Sequence, residues 1–214
     1  MAKRASRLIA RLRGSQPASA GSPRPILPGQ DGIEWPAQCD WAWRPAPWAV
    51  PIAPNALEAA RDGTALCAGA TVFHDGTAAA LHQRPGPGPA PYALSLELGG
   101  FDGTFLSLAI DLPHDAATTL RRNHILRVRV GFGPATPVNV YARLNIRHGP
   151  NTEQMLAALA PEDEAATAEF DLGLQAFNTS RLVKAWLDLI LERPVGGRLA
   201  IADVALARRP RAEL

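Results

Sequence analysis

Cysteine is scarce in this chain, which has only two, Cys39 and Cys67. Two cysteines are too few for a disulfide framework, and neither belongs to a CxxC pair or a histidine-rich spacing that would indicate a structural zinc site. We therefore expect two reduced thiols and no bound metal. Cys67 lies in an apolar stretch, which is typical of a small buried side chain.

Long hydrophobic runs are also missing. No segment approaches the roughly 18 apolar residues that a membrane-spanning helix requires. The N-terminus lacks the apolar core and the small-residue cleavage site of a secretory leader. The sequence therefore predicts a cytoplasmic protein.

The usual catalytic signatures are absent as well: there is no nucleophile elbow, P-loop, dinucleotide-binding fingerprint or HExxH motif. An enzyme would have to combine His74, Asp75 and His148 as acid, base and orienting group, but both histidines lie in Gly-containing turns where polar residues are expected anyway. Asp102 and Asp111 could supply two oxygens to a structural Ca²⁺, which needs roughly six to eight. We therefore predict a non-catalytic protein with no cofactor and no metal.

What the sequence does contain is enough apolar material for one core, since 47% of its 214 residues are hydrophobic and 20% are charged. Chains of this length often form a single all-β domain. We divide the chain into a basic arm (residues 1–30), a strap rich in Trp and Pro (residues 31–56) and a β-sandwich domain (residues 57–214).

The arm carries most of the charge asymmetry. It contains six basic and no acidic residues, which leaves sixteen basic and twenty acidic residues in the rest of the chain. Residues 14–28 are rich in Ser, Pro, Gly and Ala, so we expect a disordered linker. Leu8, Ile9 and Leu12 form an amphipathic pattern with the basic residues, which predicts weak, salt-sensitive contact with anionic membranes. Without a basic patch on the body, specific nucleic-acid binding is not expected.

The strap contains four of the five tryptophans, namely Trp35, Trp41, Trp43 and Trp48. Prolines between them disfavour a helix or a central strand, so we predict an extended segment. In one interpretation the rings form an aromatic platform for a sugar or a partner protein. In the other, which we favour because large aromatic side chains are buried on average, they cover the sandwich.

The clearest alternation occupies residues 138–147, where even positions are apolar and odd positions are polar, as in a half-buried strand. Residues 126–132 alternate in the same phase, and the five-residue link between the two segments contains Gly and Pro. We therefore predict a central hairpin in which Val130 faces Val140 and Leu126 faces Leu144.

A turn at residues 148–150 ends the second of these strands. Asn151 with Gln154 three residues later is typical of a helix-capping pair. The sequence therefore predicts a short helix over residues 152–159.

Apolar and polar residues also alternate in residues 94–98 and in residues 106–112, with Gly-containing turns between the two stretches. This pattern favours a second antiparallel pair of strands.

In the last predicted strand, the apolar residues change from odd to even positions after Ile201. One extra residue would cause this change, which predicts a β-bulge near Ala202 and Asp203.

Residues 185–191 are apolar on both faces except at Asp188. Such a run is typical of a strand that is covered on both sides. We therefore predict a strand deep in the sandwich at this position.

The polar face of the predicted hairpin is the candidate binding site. Arg127 would lie opposite Arg143, and like charges across a strand pair are unfavourable unless something neutralises them. Acids such as Glu97 or Asp111 on adjacent strands are one solution. The other is an anionic or sugar ligand, with arginines as bidentate donors and Tyr141 as a stacking ring. The candidate ligand-binding residues are Arg127, Arg129, Asn139, Tyr141, Arg143, Asn145, Arg147 and His148.

A family resemblance rests on four short stretches of the sequence. They are TVFHDGT, FDGTFLSLAIDLP, NVYARLNIRHGPNTEQ and ADVALARRPRAEL. Over about residues 60–214, a domain-sized range, the chain resembles an uncharacterised family known only as a domain of unknown function and found mainly in alphaproteobacteria. This resemblance implies no activity. The closing strands, residues 186–206, are similar in pattern to carbohydrate-binding jelly rolls of the galactose-binding-like type.

These observations together predict an all-β protein, an antiparallel β-sandwich of jelly-roll type with one or two short helices. We expect a non-catalytic binding or interaction module for a carbohydrate or an anionic ligand. The alternative is a hydrolase or transferase that acts on a glycan from the same face.

Overall fold

A computed structural model of the chain describes residue 33 and residues 37–133, 139–162 and 165–211. In this part, two antiparallel β-sheets pack face to face around one hydrophobic core. The prediction of an antiparallel β-sandwich is therefore confirmed. The basic arm lies outside the described residues, so the predictions made for it stay predictions.

One sheet has eight strands within the described residues. They are β1 (Trp41–Trp43), β2 (Ala56–Ala60), β5 (Ala79–Pro85), β6 (Tyr92–Glu97), β8 (His124–Phe132), β11 (Ala160–Glu162), β12 (Ala165–Asp171) and β14 (Arg198–Pro210). Seven of them follow in the order β11, β12, β8, β14, β6, β5, β2, and β1 pairs with β14.

The other sheet has six strands in the same part of the chain. They are β3 (Thr64–Cys67), β4 (Ala70–His74), β7 (Phe105–Asp111), β9 (Asn139–His148), β10 (Asn151–Ala158) and β13 (Leu182–Glu192). Their order is β10, β9, β13, β7, β4, β3. The strand predicted deep in the sandwich is β13, which lies between β9 and β7.

Helices are short where the structure describes the chain. These are α1 (Ala46–Ala49), α2 (His114–Thr118) and two 3-10 turns at Leu172–Leu174 and Thr179–Arg181. None of them has the length and apolar character needed to cross a membrane.

Alternating side chains from both sheets build the core. The even-numbered residues of β8 and of β9, including Val128 and Leu144, are buried, except for the half-buried Phe132 at the end of β8. The odd-numbered residues of the two strands point to the outside of the sandwich. The burial of Ala142 and Leu144 that the alternation indicates is therefore confirmed.

The predicted central hairpin is wrong. β8 pairs with β12 and β14 in the eight-stranded sheet, whereas β9 pairs with β10 and β13 in the six-stranded sheet. In both strands the even-numbered residues do face the core, as the alternation predicts. This requires only that each strand face the core on that side, and not that the two strands pair. Strands in two facing sheets satisfy this condition as well as a hairpin does. For the same reason β6 and β7, also predicted to pair, lie in different sheets.

The segment predicted as a helix, residues 152–159, begins with strand β10 instead. A two-residue turn, Gly149-Pro150, connects β9 to β10 and brings Asn151 opposite His148. Gly149 has a φ of 58°, and glycine at the first central position is favoured in tight hairpin turns. The predicted turn is therefore present, but a strand follows it.

The side chains of β10 alternate with a period of two residues. Met155 is buried beside Leu144, whereas Leu156 is 64% exposed. The capping interpretation fails because the Gln154 amide donates to Asn145 Oδ1 on β9, at 2.9 Å, and not to a helix N-terminus.

The described part of the strap packs against the sandwich. Trp41 and Trp48 are buried, and the Trp48 indole N–H donates to the Ile201 carbonyl at 2.9 Å. These two rings belong to the core and do not form an exposed platform. The helical turn α1 departs from the extended conformation that we predicted. Trp35 lies outside the described residues, and contact of the strap with a partner protein stays a prediction.

A bulge in β14 positions a buried carboxylate. The register between β14 and β8 shifts between Ile201 and Asp203, which confirms the predicted bulge. Asp203 accepts hydrogen bonds from Arg44 Nε at 2.8 Å and from Arg44 Nη2 at 3.0 Å, and both side chains are buried. This bidentate, charge-assisted pair joins the strap to the sandwich.

Candidate functional site

The outer face of the six-stranded sheet carries an open groove. Two adjoining depressions, of about 510 and 580 Å³, form it. Phe105 and Ile190 line both depressions, so the surface is continuous. The groove crosses the sheet from Phe73 on β4 to Leu156 on β10. We refer to this surface as the groove.

Strand β13 forms the floor of the groove with its even-numbered residues. Its odd-numbered residues, such as Leu187 and Leu189, are buried in the core. Its even-numbered residues Trp186 and Ile190 line the groove. The strand is therefore apolar on both faces because one face builds the core and the other builds the groove.

Four aromatic rings contribute to this surface. Phe73, Phe105 and Trp186 line one depression, and Tyr141 lines the other with Phe105. Phe73 is 40% exposed, and the other three rings are half-buried. These rings contribute apolar surface to the groove, and Lys184 Nζ lies over the Trp186 ring, 4.6 Å from its centroid.

A hydrogen-bonded polar cluster lies beside these rings. Arg143 Nε and Nη2 are each 2.8 Å from Asp188 Oδ2. Asn145 Nδ2 donates to the same oxygen at 2.9 Å, and Gln154 Nε2 donates to Asn145 Oδ1. Four side chains from β9, β10 and β13 are thereby held in one arrangement, which presents pre-oriented polar groups next to apolar rings.

This cluster retains unused hydrogen-bonding capacity. Arg143 Nη1 and Asp188 Oδ1 have no hydrogen-bond partner among the described residues. The two N–H groups of Nη1 and one carboxylate oxygen are therefore left for a ligand.

The charges that line the groove are balanced. Glu192 lies 3.4 Å from the Tyr141 hydroxyl and from Asn139 Nδ2, both of which can donate to it. The charged residues of the groove lining are two arginines, Arg143 and Arg193, and two carboxylates, Asp188 and Glu192. The groove therefore has no net charge.

Two loops fix the end of the groove at Thr104 and Phe105. Both loops contain Asp-Gly-Thr, at residues 75–77 and 102–104, and we call this pair of tripeptides the clasp. Asp75 accepts from the Thr104 N–H at 2.7 Å, from the Thr104 hydroxyl and from the Phe105 N–H at 3.1 Å. Asp102 in turn accepts from the N–H and the hydroxyl of Thr77, each at 2.7 Å. Each aspartate thus binds the threonine of the other loop.

The glycines of the clasp allow this close approach. A Cβ atom on Gly76 would lie 2.9 Å from the Gly103 nitrogen, and one on Gly103 would lie 2.8 Å from the Gly76 nitrogen. Backbone atoms cannot be moved as easily as a flexible side chain, so larger residues would separate the two loops.

The clasp makes stability depend on pH. The hydrogen bond from the Thr104 hydroxyl, followed by that from the Phe105 N–H, lowers the pKa of Asp75 below its ordinary value of 3.8. The Thr77 hydroxyl, followed by its N–H, lowers the pKa of Asp102 in the same way. A lowered pKa in the folded state means that the stabilisation is complete above pH 3.8 and is lost as the pH falls through the lower value.

We expect Asp75→Asn to lower the melting temperature at neutral pH, with a difference from wild type that shrinks below about pH 4. Thermal unfolding followed by circular dichroism over acidic to neutral pH measures this difference. Thr104→Val, which removes the hydroxyl donor and retains the carboxylate, should also reduce the pH dependence. Parallel pH curves for wild type and Asp75→Asn would contradict the assignment.

The structure separates the eight residues predicted from sequence. Tyr141 and Arg143 line the groove, and Asn145 belongs to the polar cluster. Asn139 lies beside Glu192 at one end, and Arg147 is exposed near the other end of β9. A role for these residues in ligand binding stays a prediction.

The remaining predicted residues lie elsewhere. Arg127 and Arg129 are on the outer face of the eight-stranded sheet, on the opposite side of the sandwich, because β8 and β9 do not pair. Arg127 forms an ion pair with Glu162. His148 is buried at the end of β9, 3.4 Å from Glu153. The predicted opposition of Arg127 and Arg143 is therefore wrong.

Sequence analysis predicted only the groove residues of β9 and missed those of the other strands, among them Phe73, Phe105, Trp186 and Asp188. A signal is present for β13: Trp186, Asp188 and Ile190 occupy successive even positions, and a Trp and an Asp on the same face of a strand are unusual for a core. We interpreted the strand as covered on both faces instead.

The acid–base combination of His74, Asp75 and His148 is not assembled. His74 Nε2 is 2.9 Å from the Ala60 carbonyl, and the Asp75 carboxylate is bound by Thr104. His74 and His148 lie at opposite ends of the six-stranded sheet, as the strand register shows.

The two aspartates considered for Ca²⁺ are also apart. Asp102 is bound by Thr77, and Asp111, at the far end of β7, lies 3.5 Å from Lys184 Nζ. In the described ranges, no group of three or more His, Cys, Asp or Glu side chains is placed to hold a metal ion.

The protein is thus a β-sandwich with an open groove on the outer face of its six-stranded sheet. The chain belongs to the Family of unknown function (DUF6478), which matches residues 4–214. No curated protein sequence matches it significantly.

Several solved structures share its general arrangement. The family 11 carbohydrate-binding module of Clostridium thermocellum, in complex with a β-1,3-1,4-mixed-linked tetrasaccharide, is 8% identical with a TM-score of 0.45 over 73% of this chain and 97% of that one. The xylan-binding CBM22-1 domain of Paenibacillus barcinonensis Xyn10C is 8% identical with a TM-score of 0.41, over 70% and 92% of the two chains. The active domain of bacteriophage CBA120 tailspike protein 4 is 9% identical with a TM-score of 0.42, and the match spans 64% of this chain but 19% of the tailspike.

Proposed function

We propose that this protein is a non-catalytic binding module whose groove takes a neutral carbohydrate chain. The observation that carries the proposal is the combination, in one open groove, of four aromatic rings with a pre-oriented polar cluster. Sugar rings present apolar C–H faces that pack on aromatic side chains, while their hydroxyl groups hydrogen bond with polar groups at the edges.

The polar cluster suits hydroxyl groups in particular. A hydroxyl both donates and accepts, and Arg143 Nη1 and Asp188 Oδ1 offer one donor and one acceptor to it. Hydrogen bonds to charged groups are stronger than those between neutral groups, so the ion pair can orient a sugar without a net charge in the site.

The balanced charge favours a neutral over an anionic ligand. A polyanion would have to approach Asp188 and Glu192 as well as the two arginines. Neutral sugars avoid this repulsion. Among the two ligand classes considered from sequence, we therefore propose the carbohydrate.

The spacing of the acids supports binding rather than hydrolysis. Asp188 and Glu192 are the carboxylates that line the groove, and they lie four residues apart on one strand, which corresponds to about 13 Å. Glycosidases that use two carboxylates hold them about 5 to 9.5 Å apart.

Isothermal titration calorimetry tests the proposal with xylan, mixed-linked β-glucan and galactomannan as neutral probes and polygalacturonate as the polyanion. We expect at least one neutral polysaccharide to bind, and the Trp186→Ala and Arg143→Ala variants to bind it at least about tenfold more weakly. The sugar should be recovered at its original length.

Arg129→Ala is the matched control, because it removes an exposed arginine from the opposite face and should leave the affinity unchanged. Thermal melting of each variant separates loss of binding from loss of folding. Equal affinity in all variants, binding to polygalacturonate alone, or shortened sugar chains would each contradict the proposal.

A further inference from the structure

One sheet edge in this protein is long and regular. β10 pairs with β9 over eight residues without a shift in register, and no strand pairs with its other edge within the described part of the chain. Edges of this kind offer unpaired N–H and C=O groups to another strand.

The other strands that are paired on one side only within the described ranges carry protective features, and β1, which pairs with β14, has three residues. β3 has four residues and a register shift, and β2 has a register shift against β5. β11 has three residues and contains Pro161. Short strands, bulges and proline are among the means by which proteins block strand addition, and charged side chains are another. β10 lacks the first three and carries one charged residue, Glu153.

The hairpin turn determines which backbone groups of β10 are open. Asn151 and His148 flank a two-residue turn and therefore form a hydrogen-bonded pair, so every second residue from Asn151 bonds with β9. The N–H of Leu159 accordingly donates to the Val140 carbonyl at 3.1 Å. The residues whose backbone groups face the open edge are Thr152, Gln154, Leu156 and Ala158.

We propose that a second copy of this chain pairs with this edge, β10 to β10, in antiparallel orientation about Met155. In this register Thr152 lies opposite Ala158 of the second copy, and Gln154 lies opposite Leu156. Glu153, the single charged residue of β10, faces Ala157. The edge is therefore self-complementary, with no charged residue opposite another charged residue and with the exposed Leu156 partly covered.

This pairing also joins the two grooves. Antiparallel strands in one sheet are related by a two-fold axis perpendicular to the sheet, so the outer faces of both copies lie on the same side. The groove reaches the edge at Leu156, and the two grooves therefore meet across the axis. This second step rests on the proposed function, whereas the pairing itself does not.

The molar mass of the full chain in solution, measured by light scattering and by sedimentation equilibrium, tests the pairing. We expect twice the 22.8 kDa of one chain at high concentration. Two double variants test the register. Thr152→Lys with Ala158→Lys places lysines opposite each other at both ends of the interface, and Thr152→Lys with Ala158→Glu places opposite charges there.

We expect the dissociation constant of the Lys/Lys variant to be at least about tenfold higher than that of the Lys/Glu variant. Both positions are exposed and lie outside the groove lining, so the variants should fold alike. A monomer at all concentrations, or equal dissociation constants for the two variants, would overturn the pairing.

Sugar length tests the joined grooves separately. Xylobiose and cellobiose should bind wild type and the Lys/Lys variant equally, whereas long xylo- or cello-oligosaccharides should bind wild type more tightly. If wild type and the Lys/Lys variant bind long oligosaccharides with equal affinity, the inference that the two grooves are joined is overturned. If no sugar binds a dimeric wild type, the proposed function fails and the pairing stands.

Discussion

Replacement of Asp203 by alanine is expected to lower the free energy of unfolding by about 3 to 5 kcal/mol. The change leaves Arg44, whose side chain is 1% exposed, without its bidentate carboxylate. Removal of one member of a buried ion pair is strongly destabilising, because the desolvation cost of the other charge is no longer balanced by the attraction between the two. Urea unfolding, monitored by tryptophan fluorescence, measures the change.

A double variant shows whether the loss of stability comes from the unpaired buried charge of Arg44. Arg44→Met with Asp203→Leu removes both charges and keeps apolar volume, so the loss should be much smaller than for Asp203→Ala alone. If the single and the double variant lose the same free energy, the ion pair does not account for the effect.

The second large effect is expected for Leu144→Asp, which should abolish the cooperative unfolding transition. Leu144 is fully buried on β9, and a carboxylate there would be surrounded by apolar side chains without a partner. Near-ultraviolet circular dichroism and thermal melting provide the measurement.

Arg147→Asp is the matched control for this prediction. It places the same carboxylate on the same strand but at an exposed position, so it should melt close to wild type. A Leu144→Asp protein that melts like Arg147→Asp would contradict the burial of the even-numbered face.

The inward faces of β8 and β9 could be predicted from sequence, but their pairing partners could not. Val128 and Leu144 are apolar because they contact the core, and the alternation records that contact directly. Nothing in the alternation of β8 or β9 records the backbone hydrogen bonds, which are made by the same groups in every residue. The five-residue link suggested a hairpin, yet the two strands lie in facing sheets.

The same distinction explains what was found of the candidate site. Tyr141, Arg143 and Asn145 were predicted together because they share one strand face. Arg127 and Arg129 were added through the hairpin and are wrong in position for that reason. Asp188 and Trp186 come from a strand more than forty residues away in sequence, and their place beside Arg143 depends on the pairing of β13 with β9.

The clasp has a consequence for how this sequence can change over generations. Asp75 binds Thr104, Asp102 binds Thr77, and the two glycines face each other, so neither tripeptide makes its contacts alone. Substitutions at contacting residues are not additive. The effect of a change in one loop therefore depends on the residues of the other, and we expect positions 75–77 and 102–104 to vary together among relatives of this chain.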